Sequence, residues 1–135
     1  MIFLLDTTVF SDLMRGSARA ENHLSQLSPM DRVVVCPIVR GEVRYGIERL
    51  APGKRRQDLE AKAARLFAVL FCESVPEAAA DHYARIKTAA YARGLPLDEN
   101  DLWIAATAMT LAATLVSRDS DYGAVDDLVV TDGSL

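Results

Sequence analysis

The chain is poor in the residues that small proteins use as staples or as soft metal ligands. It holds two cysteines and two histidines in 135 residues. No CxxC pair and no Cys/His grouping exists, which leaves no basis for a zinc site. Cys36 ends the run Val33-Val34-Val35-Cys36 and Cys72 ends Leu70-Phe71-Cys72, so both read as core thiols and not as a disulfide. His23 and His82 each stand alone in a helical stretch, which gives a serine–histidine hydrolase little to work with. Only five prolines occur, no Gly/Ser-rich stretch interrupts the chain and no internal repeat is visible. Residues 1–135 therefore read as a single domain. Long apolar runs are missing too. Met1 to Leu5 has no basic front and stops at Asp6, far short of the ~7–15 apolar residues of a signal peptide or the ~20 of a membrane helix. The expectation is a soluble, cytoplasmic protein with no membrane partner. Nor is there an excess of positive charge, the formal net charge being −4. That disfavours a module binding nucleic acid through phosphate contacts alone. An acidic nucleic-acid enzyme is still compatible, because cations held by its carboxylates reverse the local field.

Half of the residues are hydrophobic and a quarter charged, the balance of a folded domain. Short continuous apolar runs at 2–6, 32–36, 70–74, 114–117 and 128–131 suit strands covered on both faces. Helical stretches lie between them. One runs over 9–14 and stops near Gly16, and a second covers 18–27 with Leu24 and Leu27 on its apolar face. Pro37 opens a third that reaches about Leu50. Ala51-Pro52-Gly53 then breaks the chain before a helix from Lys54 to about Val69. Pro76 begins another that ends at Arg93, stopped by Gly94 with Pro96 behind it. A last helix is capped by Asp98 or Asn100. Alternating strands and helices predict a parallel sheet covered on both sides, with ligands gathering at the carboxyl ends of the strands.

Carboxylates occur at that end. Asp6 closes the first strand, although Asp6 or Thr8 could equally cap the following helix. Glu42 sits at the border of the stripe formed by Val39, Val43, Ile47 and Leu50. Gly41 and Gly46 beside it each cost about 1 kcal/mol in a helix, and close approach of another segment or a substrate would explain them. Asp101 heads a face of small residues, Ala105, Ala108 and Ala112, while also suiting a first-turn role behind an Asp98 cap. Asp119 and Asp121 follow the fourth strand, where a plain polar turn is the simpler reading. Hard divalent cations take oxygen ligands, and a group of carboxylates repels unless a cation or a proton joins it. Arg15, Arg40, Arg44 and Arg118 are candidates for substrate contact, and Lys54-Arg55-Arg56 at a helix start, against the dipole, hints at an intermolecular role.

These segments together resemble the PIN-domain family, in particular the VapC-type ribonuclease toxins of VapBC toxin–antitoxin systems. The matching pieces are Leu4-Leu5-Asp6-Thr7-Thr8-Val9, Gly41-Glu42-Val43 with Tyr45-Gly46, Asn100 to Ala108, and Leu115 to Tyr122, in the family's order and spanning nearly the whole chain. The resemblance implies a three-layer α/β/α fold with a central parallel sheet of four to five strands. It implies an acidic metal centre of Asp6, Glu42, Asp101 and Asp119, with Asp121 as the rival for the fourth place and Thr8 and Ser117 near the metal. It further implies Mg²⁺- or Mn²⁺-dependent cleavage of RNA, often tRNA or rRNA, a VapB-type antitoxin partner and a homodimer. Tyr122 stands where phenylalanine is commoner in the family, a change expected to be harmless.

The alternatives are a PIN-like protein that binds RNA or a partner without cutting, and a different acidic-pocket α/β protein. A haloacid-type phosphatase would need Asp-x-Asp where Asp6-Thr7-Thr8 stands. A receiver domain would need an aspartate closing the third strand and a late lysine, and neither is present.

Overall fold

The computed structural model describes residues 1–95 and 97–133. In chain order the elements are β1 (Ile2–Leu5), α1 (Thr7–Met14), α2 (Ala18–Ser25), β2 (Arg32–Val35), α3 (Pro37–Glu48), α4 (Lys54–Val69), β3 (Phe71–Cys72), α5 (Ala79–Ala92), α6 (Glu99–Thr110), β4 (Thr114–Val116) and β5 (Val130–Thr131). A short 3₁₀ turn, Ser120–Ala124, follows β4. The five strands form one parallel sheet in the order β3-β2-β1-β4-β5. With helices flanking the sheet, this is the predicted α/β/α architecture.

Apolar runs become strands here because both sheet faces are covered. Leu4, Leu5, Val34, Val35, Leu115 and Val116 are fully buried, so both faces of the three central strands are withdrawn from water. Each fully buried Val or Leu side chain contributes about 1.5–3 kcal/mol over its exposed state. α6 supplies Leu102, Ile104, Ala105, Ala106 and Ala108 to the same core. Its small residues let the helix backbone lie close to its neighbours. Ala112 does not belong to that face: α6 ends at Thr110, and Ala112 lies past it, exposed and in the left-handed region at φ 53°.

Several boundaries differ from the sequence reading. α1 begins at Thr7 rather than 9, because the Asp6 side chain accepts from Val9 N at 3.1 Å and caps the helix two residues earlier. Pro76 does not start α5. Its carbonyl accepts from Ala79 N at 2.9 Å in a turn, and the helix begins at Ala79. α5 stops as predicted beside Gly94, whose φ of +66° breaks the helical path, while Pro96 lies outside the described residues. The outer strands are the shortest, β3 and β5 pairing over two residues each against one neighbour. An edge strand gains hydrogen bonds on one side alone, so apolar residues beyond those pairs stay in loops. α2 ends at Ser25, and its buried residues are Ala20 and His23, with Leu24 and Leu27 half-buried against the core. No helix among the described residues is long and apolar enough to cross a membrane.

The topology itself locates a site. From β1 the chain moves outward through β2 to β3, then returns to the other side of β1 as β4. The connections therefore turn opposite ways from β1 and β4, and such a switch point opens a crevice at the strands' carboxyl ends.

Candidate active site

Asp6 follows β1 and Ser117 follows β4, so the parallel pairing of Leu5 with Val116 sets them side by side. Asp6 N donates to Val116 O at 3.1 Å, which fixes the backbone. Both carboxylate oxygens of Asp6 are then occupied. Ser117 Oγ donates to Oδ2 at 2.5 Å, and Thr8 Oγ1 donates to Oδ1 at 2.6 Å. Each hydroxyl in turn accepts a backbone N–H from the loop after β4: Asp119 N to Ser117 Oγ at 3.0 Å and Arg118 N to Thr8 Oγ1 at 3.3 Å. Thr8 and Ser117 thus sew that loop to the first aspartate. Asp6 is 3% exposed. Burial outweighs the hydrogen bonds from Ser117, Thr8 and Val9 and pushes its carboxyl above the ordinary value of 3.8.

Asp101 stands in the first turn of α6, where its own N–H donates to the Asp98 cap at 2.9 Å. The capping role and a functional role coexist, since the side chain points elsewhere. Tyr122 Oη donates to Asp101 Oδ1 at 2.9 Å. Burial, together with the negative fields of Asp98, Asp119 and Glu42, pushes Asp101 up to about 6, against the pull of the Tyr122 hydrogen bond. Glu42, on α3, accepts from Thr7 Oγ1 at 2.6 Å. Asp119 caps the 3₁₀ turn by accepting from Asp121 N at 2.9 Å. It is half-buried, and its charge acts on both Asp101 and Tyr122. Asp121 is exposed and is not among the groups whose charge acts on Asp101.

Glu42, Asp98 and Asp119 therefore act on Asp101 without forming a closed cage with it. Among the described residues no three Asp, Glu, His or Cys side chains are arranged to hold an ion as they stand. The tight four-carboxylate cluster implied by the resemblance is looser than expected. Like charges repel, and each carboxylate is satisfied by a hydroxyl or a backbone N–H instead. A zinc-type cage of protein ligands does not fit this arrangement. A hard cation that keeps most of its waters does, because Mg²⁺ needs one or two carboxylates. The rise in the Asp6 and Asp101 values marks two sites where negative charge is disfavoured and a cation would relieve it.

The arginines divide. Arg118 donates to Asp12 Oδ2 at 2.5 Å and to Oδ1 at 3.0 Å, and Arg15 donates to Asp12 Oδ1 at 2.5 Å. Two guanidiniums on one carboxylate leave a net positive charge beside Thr8, where the Arg118 backbone is already anchored. The spacing of Asp12 from Arg15 fits a helical pair legible in the sequence, but its partnership with Arg118 is nonlocal. Arg40 and Arg44 are not brought to the site. They lie two residues either side of Glu42, about 200° around the helix, and line a separate hollow in which the Arg40 guanidinium sits 4.6 Å over the Phe67 ring. Arg44 pairs with Glu48. That outcome was readable from the helical wheel. Arg56 has an intramolecular use as well, joining Glu48 and Glu60 and the Leu50 carbonyl.

Lys54 and Arg55 instead border a groove of about 620 Å³ between α1, α3 and α4. Its wall includes Met14, Val43, Ile47 and Leu59, and Glu42 is part of it. Gly46 lines the same groove, and a Cβ built on Gly41 or Gly46 meets nothing within 4 Å. Among the described residues no other segment comes within 4 Å of a Cβ at either glycine, which leaves a substrate or partner as the close approach considered from the sequence. Gly46→Ala is accordingly expected to stabilise the protein by about 1 kcal/mol, measured by thermal unfolding, because alanine is the better helix former and nothing must move.

A family model for the PIN domain matches residues 3–128 of this chain. The chain belongs to the PIN-domain family. Ribonuclease VapC1 of Haemophilus influenzae strain R2866 is 30% identical to this PIN domain over 95% of each chain. The structure of VapBC-1 from nontypeable Haemophilus influenzae superposes with a TM-score of 0.86 at 27% identity, covering 98% of both chains. The VapBC2 complex of Rickettsia felis, solved on a promoter DNA fragment, reaches a TM-score of 0.89 at 22% identity over 97% of this chain and 98% of that one, and so shows the shared fold.

Proposed function

We propose that this protein is a metal-dependent endoribonuclease acting as the toxin of a toxin–antitoxin pair. The observation that carries the reading is that Asp6, at the carboxyl end of β1, and Asp101, in the first turn of α6, both resist negative charge, Asp6 through burial and Asp101 through burial and the fields of Asp98, Asp119 and Glu42, while the charges of both act on the one Tyr122 hydroxyl. Relatives named ribonuclease VapC support the nuclease class. In this reading Asp6 and Asp101 hold Mg²⁺ or Mn²⁺, with Glu42 and Asp119 contributing through water. When bound, the ion supplies a water-derived nucleophile near neutral pH and offsets charge growing on the phosphodiester. The chain's own groups do the rest. Thr8 and Ser117 fix both oxygens of Asp6, so that carboxylate meets its partner in one orientation. Arg15 and Arg118, held in place by Asp12, present positive charge to the phosphates of RNA. This positive pair also explains how a chain of net charge −4 can draw a polyanion.

The groove beside Glu42 suits the partner. Structural relatives are complexes with antitoxins, VapBC-1 and FitAB among them. An apolar wall with Lys54, Arg55 and Lys62 at its border fits an extended or helical segment carrying apolar anchors and acidic residues. A VapB-type antitoxin seated there would reach Glu42 and block the site, and a homodimer completes the proposed assembly. Under this reading Gly46→Ala weakens antitoxin binding although it stabilises the free toxin, because the added methyl enters the groove.

The direct experiment incubates the purified protein with total RNA, with and without Mg²⁺ or Mn²⁺, and maps new 5′ ends. Discrete new ends in tRNA or rRNA that vanish in chelator are expected. The rival reading, a PIN-like protein that binds RNA or a partner without cutting, draws on the absence of a closed carboxylate cage among the described residues. It predicts retention of RNA with no new ends under any divalent ion.

A further inference from the structure

Tyr122 is the largest of the fully buried side chains, 1% exposed, yet it ends in a polar group. Among the described residues its hydroxyl makes one hydrogen bond, donated to Asp101 Oδ1 at 2.9 Å across 21 residues of sequence. The backbone that carries it is fixed from both sides. Asp119 caps the 3₁₀ turn ahead of it, and Val125 N donates to the Tyr122 carbonyl at 3.1 Å behind it. A ring this enclosed has no freedom to swing its hydroxyl away. A buried hydroxyl left without a partner costs about 1–3 kcal/mol, so a phenylalanine would fill the same space more cheaply if packing were the only demand. The hydroxyl is aimed at one oxygen of Asp101, one of the two acidic side chains in the first turn of α6. Among the described residues no hydrogen bond reaches Oδ2, which leaves that oxygen for another ligand.

We propose that Tyr122 is a positioning residue of the active site, holding the Asp101 carboxylate by one oxygen so that the other faces the divalent cation. The inference rests on the metal-dependent reading given above and adds to it a member outside the acidic set. Groups that hold a metal ligand from behind commonly change metal affinity or activity by about 10–100-fold when removed. Thr8 and Ser117 serve Asp6 in the same manner, from hydroxyls on both oxygens. Asp101 has a single such holder, and it comes from the turn that also carries Asp119.

The test is Tyr122→Phe, which keeps the ring and removes the hydroxyl. Calorimetric titration of the purified protein with Mn²⁺ should show binding about 10-fold weaker than wild type, without any RNA present. In cleavage assays the Mn²⁺ concentration for half-maximal rate should rise by the same factor, with KM for RNA unchanged. Equal Mn²⁺ affinity in a folded Tyr122→Phe protein overturns the proposal and assigns the hydroxyl to packing alone. If Tyr122→Phe does not fold, 3-fluorotyrosine in the wild-type chain replaces it. The ¹⁹F signal of residue 122 should then shift on titration with Mg²⁺, and a signal that stays fixed while the ion binds overturns the proposal. Wild-type protein that binds Mn²⁺ yet cuts no RNA would sink the nuclease reading while leaving the affinity comparison intact.

Discussion

Asp101→Asn is expected to lower RNA cleavage by about 100-fold or more while the protein keeps its fold. The carboxylate is the charge the proposed ion needs, and removing one preorganised charge-stabilising group from an enzyme site costs about 100–1,000-fold in rate. Asparagine keeps the size of aspartate and a carbonyl oxygen that accepts the Tyr122 hydroxyl. The N-terminal hydrogen bond of α6 to Asp98 uses the backbone N–H of residue 101 and is untouched by the change. Stability should move the other way from activity. At pH 8 without divalent ions, Asp101 is ionised in a place where burial, Asp98, Asp119 and Glu42 oppose the charge. The neutral variant escapes that opposition and should melt at a higher temperature than wild type. Calorimetry beside the cleavage assay separates the possibilities. Lost cleavage with a raised melting point fits the reading. Lost cleavage with a lowered melting point would mean that the side chain is structural, and undiminished cleavage would remove Asp101 from the site.

Divalent ions should change stability strongly, and in a pH-dependent way. The folded-state value of Asp101 is about 6 against an ordinary 3.8, and Asp6 is shifted in the same direction. A carboxyl whose value is raised by folding stabilises the fold below its unfolded value, and this contribution disappears as pH rises through the folded value. The Asp101 contribution is therefore lost across pH 3.8 to 6 and beyond. Glu99, held below its ordinary range by Lys87 and Tyr83, adds a slope of opposite sign. The diagnostic quantity is thus wild type minus Asp101→Asn in metal-free buffer, which should fall with rising pH over that interval. Mn²⁺ or Mg²⁺ binds the ionised form, so its effect belongs to high pH. An ion at one hundred times its Kd adds about 2.7 kcal/mol, or on the order of 10 °C for a domain of this length. That rise is expected in full at pH 8 and about halved at pH 5, where a proton competes for Asp101 and weakens the ion about tenfold. An equal rise at both values would place the ion away from Asp101.

The local features were legible because they are written in short stretches. Leu4-Leu5-Asp6 is a buried strand followed by a cap, and Asp98 to Asp101 is a helix start, whichever fold surrounds them. The placement of Arg40 and Arg44 is also local, since a spacing of two residues from Glu42 turns them to the far side of α3. The partner of the Tyr122 hydroxyl is a different case. Nothing within Asp119 to Tyr122 tells a buried ring what its hydroxyl will meet; that depends on α6 packing beside the turn. Gly41 and Gly46 stand out in a helix on propensity alone, yet among the described residues no other segment closes on either of them.

The sequence by itself determined the order of strands and helices and the parallel sheet, because period and end signals act over a few residues at a time. Only the tertiary structure decided which acids share a crevice. Ser117 meets Asp6 across 111 residues because β4 returns to lie against β1, and that choice of neighbour is a property of how the whole core packs.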